Sequence, residues 1–171
     1  MVSKKETKIQ KIDSENLNTK DLEEACMILQ NGGLVAFPTE TVYGLGGDAF
    51  SLEAAEKIYA AKGRPSDNPL IVHIAEKKDL MRLTDYISEQ AEKLMDAFWP
   101  GPLTMIFPKK ENVPDSTTGG QNTVAVRMPS HPVAQALIRK SGVLIAAPSA
   151  NTSGRPSPTQ ASHVIEDLSG K

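Results

Sequence analysis

One cysteine, one tryptophan and three histidines in 171 residues leave little material for several common chemistries. With Cys26 alone, neither an intrachain disulfide nor a cysteine-based zinc site can form, a pattern that fits a reducing cytoplasm. His73, His131 and His163 fall at no His-x3-His spacing, which argues against a catalytic zinc, and no protein metal site is expected. A P-loop is excluded because no Gly-x4-Gly-Lys-Ser/Thr occurs. Gly44, Gly46 and Gly47 have the wrong spacing for a dinucleotide fingerprint, and Ser149 lacks the glycine frame of a nucleophile elbow. No apolar run approaches the ~20 residues needed to cross a bilayer. The polar, lysine-rich start, Met1 to Lys11, has no apolar signal core behind it. The reading is a cytosolic protein without a membrane partner. Charge of one sign is missing too: 19 basic against 21 acidic residues give a net −2. The molecule as a whole is no polycation for nucleic acid, so any anion binding must come from local clusters.

What is present suits one globular domain. Hydrophobic residues make up 39 % and charged residues 23 %, and the length allows a sizeable core. Helical and extended patterns alternate, which predicts an α/β class. Residues 1–16 read as a polar extension with a candidate first strand, and 17–171 as the domain. Helices are predicted over Thr19 to Asn31 with Thr19 as its cap, from Ser51 to Gly63, over Leu80 to Leu83, Ser88 to Phe98 and His131 to Lys140, and from about Thr159 to Leu168. Strands are predicted at Leu34–Phe37, Leu70–Ile74, Leu103–Phe107, Thr123–Met128 and Val143–Ala147. The unusual segments, Pro38 to Gly47, Lys62 to Asn68 and Pro148 to Pro158, all follow strands or end helices. Ligands bind at such places in open α/β sheets, so one shared pocket is expected.

Each candidate has a bland alternative. Lys62 and Arg64 can be ordinary cations at a helix C-terminus. Pro65 and Pro69 stiffen the segment that follows, however, and Asn68 adds an amide donor. A compact lysine and a forked arginine suit a polyphosphate. Thr41 lies in a hydroxyl- and glycine-rich stretch that otherwise reads as a strand-to-helix turn. Ser149, Asn151 and Ser157 sit in a loop built of the residues that turns prefer. Alternation places Thr123, Ala125 and Arg127 on one strand face. There Arg127 is either half of a structural ion pair or a two-pronged clamp for a carboxylate. His73 is either a satisfied core histidine or a polar contact in a pocket.

Taken in order, the stretches are far more specific than any one alone. They are Phe37-Pro-Thr-Glu-Thr-Val-Tyr-Gly-Leu-Gly46, Lys62-Gly-Arg-Pro65, Asn68-Pro-Leu70, His73, Trp99-Pro-Gly-Pro-Leu-Thr104, Val126-Arg-Met-Pro129 and Pro148-Ser-Ala-Asn151. The set resembles the YrdC-like domain of threonylcarbamoyl-AMP synthases from roughly Leu17 onward. The resemblance implies a twisted open mixed sheet flanked by helices, with a concave electropositive pocket. It implies a nucleotidyltransferase that makes threonylcarbamoyl-AMP and pyrophosphate from L-threonine, bicarbonate and ATP. Mg²⁺ would be carried mainly by the ATP, and downstream proteins would transfer the threonylcarbamoyl group to tRNA. It assigns Lys62, Arg64, Ser149 and Asn151 to a signature tetrad near the phosphates. Thr41, His73, Arg127 and Ala147 would line a threonine site, and Arg64, Asn68, Thr123, Ser149 and Ser157 would contact the nucleotide. Similar proteins continue into an Asp-Gly-Gly strand and a Glu-Ser-Thr-Val segment, so the chain ending at Lys171 reads as a C-terminally truncated domain with an exposed sheet edge. Two other functions stay open. One is a module binding double-stranded RNA or tRNA without catalysis, since such RNA is read by shape and phosphate. The other is the related domain of hydrogenase-maturation carbamoyltransferases, disfavoured by the lack of flanking zinc-finger or acylphosphatase-like sequence.

Overall fold

A computed structural model describes residues 5–171. The first four residues of the polar extension lie outside the described residues. Positions 5–16 form no strand, because Ile9 and Ile12 are too few and wrongly spaced to make a buried face. The segment is tied to the domain by a Lys8–Glu24 ion pair, by Gly170 N–H donating to Thr7 Oγ1 at 2.8 Å, and by Ile12 packing against the core.

Capping chemistry sets most helix boundaries. A short 3-10 turn, Thr19–Leu22, leads into α1, Glu23–Gln30. Asn18 rather than Thr19 caps that turn, its side chain accepting from Lys20 N. Helix α2, Leu52–Lys62, is capped by Ser51 and closed by Gly63 at φ +62°, a left-handed conformation that glycine adopts without strain. Ser88 caps α3, Glu89–Phe98, after a 3-10 segment, Lys77–Arg82. A one-turn helix, α4, spans Asp115–Thr118. Helix α5, Pro132–Ser141, carries proline at its first position, where no donor is missed. Helix α6 covers Ala161–Leu168.

The strands are β1 Val35–Phe37, β2 Gly44–Asp48, β3 Ile71–His73, β4 Thr104–Pro108, β5 Thr123–Arg127 and β6 Ile145–Ala147. They form one mixed sheet in the order β1-β2-β6-β3-β5-β4, in which only β3 and β5 run parallel. This is the open mixed sheet implied by the resemblance, with β1 and β4 at its edges.

Strand β2 was not expected, since three glycines in five residues read as a turn. The neighbours explain it. A Cβ on Gly44 would lie 3.2 Å from Phe37 Cζ, and one on Gly46 would collide with Ile145 and come within 2.8 Å of Phe37 Cε1. The missing side chains let the Phe37 ring lie across this face of the sheet. That ring meets His73 edge-on, with centroids 5.7 Å apart.

Register divides the sheet into two faces. Ile71 pairs with Ala147 and Ala125, and His73 with Ile145 and Arg127. Strand alternation therefore gathers Ile71, His73, Arg127 and Ala147 on one face. Val72, Val124, Val126 and Ala146, on the other, are fully buried in the core with Leu29, Ile58, Leu137 and Leu144.

Candidate functional site

The face carrying His73 and Arg127 floors a cavity of about 310 Å³, the scale of a small-molecule site. Its walls come from three chain segments that the sequence singled out. Thr39, Val42, Tyr43 and Gly44 come from the loop between β1 and β2, Arg64 and Pro69 follow α2, and Ala147, Pro148 and Ser149 end β6. Backbone bonds knit these loops together. Tyr43 N donates to Pro158 O at 2.8 Å, Ala150 N to Tyr43 O at 2.8 Å, and Leu45 N to Pro148 O at 2.9 Å.

Lys62 is the strongest tie. It is 2 % exposed, and its Nζ donates to Ser149 O at 2.5 Å, Asn151 O at 2.7 Å and Asn151 Oδ1 at 3.3 Å. An ammonium has three donors, so Lys62 is fully spent on the 149–151 loop. Burial, then the adjacent Arg64 guanidinium, draws its pKa down to about 8, against a pull from Asp167. Asn151 extends the tie, donating through Nδ2 to Arg155 O at 2.7 Å and Thr152 O at 3.1 Å. Neither Lys62 nor Asn151 is among the residues lining the cavity; both bond within the loop that carries Ser149, which does line it.

Arg64 is different. Its Nη2 donates to Pro69 O at 3.0 Å and Asn68 O at 3.4 Å, which folds the proline-flanked segment around it. Its Nε is shielded from solvent yet has no partner among the described residues. Buried donors are as a rule paired with protein or water, so this N–H stands out in the cavity wall.

Arg127 is 8 % exposed. Its Nε donates to Gly101 O at 3.3 Å, Nη1 to Thr41 Oγ1 at 3.1 Å, and Nη2 to the Glu40 carboxylate. Two of its five N–H groups have no partner among the described residues. Glu40 also accepts from Ser130 N at 2.8 Å and His131 N at 3.2 Å. Partial burial pushes this carboxyl up, but Arg127 and the backbone donors outweigh it and hold the pKa below the usual range. Glu40 is a site residue that sequence reasoning passed over. The signal was there, an acid between two threonines after a buried strand, but nothing in the spacing pointed it at Arg127, 87 positions away.

His73 is buried at the cavity floor, 4 % exposed. Burial, reinforced by Arg127, draws its pKa down to about 4, so the ring is neutral at neutral pH. Nδ1 lies 3.0 Å from Ile71 O, which assigns the ring proton to Nδ1 and leaves Nε2 as an acceptor.

Of the other candidates, Ala147 and Ser149 line the cavity and Thr41 touches it through Arg127. Asn68, Thr123 and Ser157 are exposed and lie outside its wall. Thr123 occupies the far end of β5, opposite Pro108. Ser157 neighbours Pro158, whose carbonyl holds Tyr43. Among the described residues no group of three His, Cys, Asp or Glu could hold a metal ion, and no helix is long and apolar enough to cross a membrane.

The fold is an open mixed-sheet α/β domain, and its cavity is lined by Arg64 and Arg127. Residues 27–171 match the family model Sua5_yciO_yrdC, described as telomere recombination. A threonylcarbamoyl-AMP synthase of Bacillus subtilis (strain 168) is 55 % identical over 160 residues, 93 % of this chain and 46 % of that protein. One from Pyrococcus abyssi (strain GE5 / Orsay) is 55 % identical over 157 residues, 92 % of this chain and 46 % of its own length. The crystal structure of P. abyssi Sua5 complexed with L-threonine superposes with a TM-score of 0.89 at 54 % identity, covering 91 % of this chain and 46 % of that one. The chain belongs to the Sua5/YciO/YrdC family. It spans about half the length of the first curated relatives it matches.

Proposed function

We propose that the protein is an L-threonylcarbamoyladenylate synthase, a nucleotidyltransferase that joins L-threonine, bicarbonate and ATP for tRNA threonylcarbamoylation. The observation carrying this reading is the convergence of Arg127, neutral His73 and the unpartnered Arg64 Nε on one cavity, in a family with a threonine-bound member.

The geometry suits the reaction. The two open N–H groups of Arg127 take the threonine carboxylate, and the short wall at Ala147 limits the side chain to a small one. His73 Nε2 accepts from the amine or hydroxyl without adding positive charge. The amine nitrogen attacks the carbon of bicarbonate, water leaves, and a carbamate forms. A carbamate oxygen then attacks the α-phosphorus of ATP, and the bond to the bridging oxygen breaks as pyrophosphate departs. No protein nucleophile is needed. Catalysis comes from holding three reactants in line and offering fixed donors to the growing charge. Arg64 is the candidate phosphate contact, with Ser149 beside it. Lys62 and Asn151 support that wall, while Asn68, Thr123 and Ser157 are candidates for nucleotide contacts beyond it. Mg²⁺ would arrive bound to the phosphates of ATP. The product would pass to the proteins that attach the threonylcarbamoyl group to tRNA.

The test is pyrophosphate release with L-threonine, bicarbonate and ATP, omitting each in turn, alongside mass detection of threonylcarbamoyl-AMP. Release that depends on all three reactants is expected. Release independent of threonine would overturn the reading.

A further inference from the structure

The loop after β1 carries an acid whose bonding none of the roles above explains. Glu40 reaches across to β5 and to the start of α5. One carboxylate oxygen meets Arg127 Nη2, and the other accepts from Ser130 N at 2.8 Å and His131 N at 3.2 Å. Its side chain is 22 % exposed, and it is not among the residues lining the cavity, whereas Arg127 is. The acid therefore stands behind the guanidinium. Its three bonds anchor it from two directions, so it is a fixed buttress and not a plug waiting to be displaced.

We infer that Glu40 is a positioning residue for carboxylate recognition. It holds Arg127, together with Thr41 and the Gly101 carbonyl, so that the two remaining N–H groups face the cavity. The inference rests on the threonine-binding reading above. Its chemistry is specific. An arginine side chain has many rotamers, and a ligand carboxylate must otherwise immobilise it on binding. With Glu40, Thr41 and Gly101 each taking one donor, that ordering is completed during folding. The same carboxylate joins the 38–43 loop to Ser130 and His131 just before α5, which restrains Arg127 and Thr41 from drifting apart. A bidentate fork is sensitive to such drift, because both hydrogen bonds must be met at once.

Glu40→Gln tests this. The amide oxygen can still accept from the Ser130 and His131 N–H groups, but it cannot pair in charge with Arg127. Titration calorimetry of the whole chain, at fixed ATP, compares L-threonine with L-threoninol, in which an alcohol replaces the carboxylate. In Glu40→Gln, threonine affinity is expected to fall at least ten-fold, while threoninol and ATP affinities stay within two-fold. The advantage of threonine over threoninol thus shrinks by the same ten-fold. Should that variant fail to fold, Glu40→Asp, which withdraws the carboxylate by one methylene, gives the same pattern more weakly. Equal losses for threonine and threoninol would mean general loosening of the loop and overturn the inference. Unchanged threonine affinity would overturn it, and so would tighter binding, which would make Glu40 a competitor. Wild-type chain that binds no threonine removes the functional reading itself, an outcome separate from any effect of Glu40.

Discussion

His73 should make the protein acid-sensitive in a defined window. Its folded pKa is about 4, against about 6.5 in the unfolded chain. Between these values the unfolded state binds a proton that the folded state refuses, so stability falls as pH falls. The loss begins near pH 6.5, runs at up to about 1.4 kcal/mol per pH unit, and levels off below about pH 4, for a total of about 3 kcal/mol. That is a large share of the roughly 5–15 kcal/mol that holds a domain folded. Around the ring are Phe37 at its edge, Arg127 on the neighbouring β5, which opposes protonation, and the Ile71 and Ile145 backbone and Glu40, which favour it. Urea unfolding at a series of pH values from 8 to 4 measures the slope. Other groups also titrate over this range, so the decisive quantity is the difference from His73→Gln, which carries no proton at any pH and can still donate to Ile71 O. The wild type should lose about 3 kcal/mol more than the variant across the window. Parallel curves, within about 0.5 kcal/mol, would refute the buried neutral ring. The resolved NMR titration of His73 should likewise stay flat down to about pH 5.

Other outcomes follow from the same contacts. Lys62→Met strands the Ser149 and Asn151 carbonyls, each costing about 1–3 kcal/mol, partly offset by relief of a buried charge. A net loss of about 2 kcal/mol in urea unfolding is expected, with faster hydrogen exchange at Ala150, and a change below about 0.5 kcal/mol would deny the tie. Lys62→Arg should not rescue it, because a planar fork does not fit a site only 2 % exposed. Gly46→Ala should cost about 1–3 kcal/mol through collision with Ile145 and Phe37, seen as a lower thermal midpoint. Gly119→Ala should also destabilise. Its φ is +61° and the new Cβ would lie 2.6 Å from Asp67 O, so a neutral result in the same assay would count against the backbone conformation there.

What the sequence revealed depended on how local each cause was. Ser51, Ser88 and Gly63 announce helix boundaries because capping needs only neighbouring residues. The alternation in Thr123–Arg127 put Thr123, Ala125 and Arg127 on one face, since a strand fixes which residues share a face, but it could not say that of these Arg127 alone lines the cavity. Strand β2 was hidden because its glycines serve Phe37 and Ile145, which reach it only in three dimensions. Thr19 lost the capping role to Asn18, a shift of one residue that spacing could not decide. The site divided the same way. Arg64, His73, Ala147 and Ser149 were legible as cavity residues, whereas the spent donors of Lys62 and the grip of Glu40 on Arg127 are pairings across more than 80 positions.

The three cations differ most in what each has left to give. Lys62 has no free donor, Arg127 keeps two, and Arg64 keeps at least its buried Nε. Residue type and position in a motif could not have separated them, because all three are basic residues near the ends of regular elements. Acceptor count does separate them. A lysine surrounded by three protein oxygens is part of the scaffold. An arginine with a buried N–H that no described residue pairs keeps a donor in reserve. In a reaction that needs no protein nucleophile, such prepaid ordering is the main thing a protein can contribute. The loops around the cavity are held by bonds within the protein, and the Arg64 Nε is left without a partner among the described residues. If the Lys62 and Arg64 roles were exchanged, Arg64→Met would be the variant that loosens the 149–151 loop. Hydrogen exchange at Ala150 should instead respond to Lys62→Met alone.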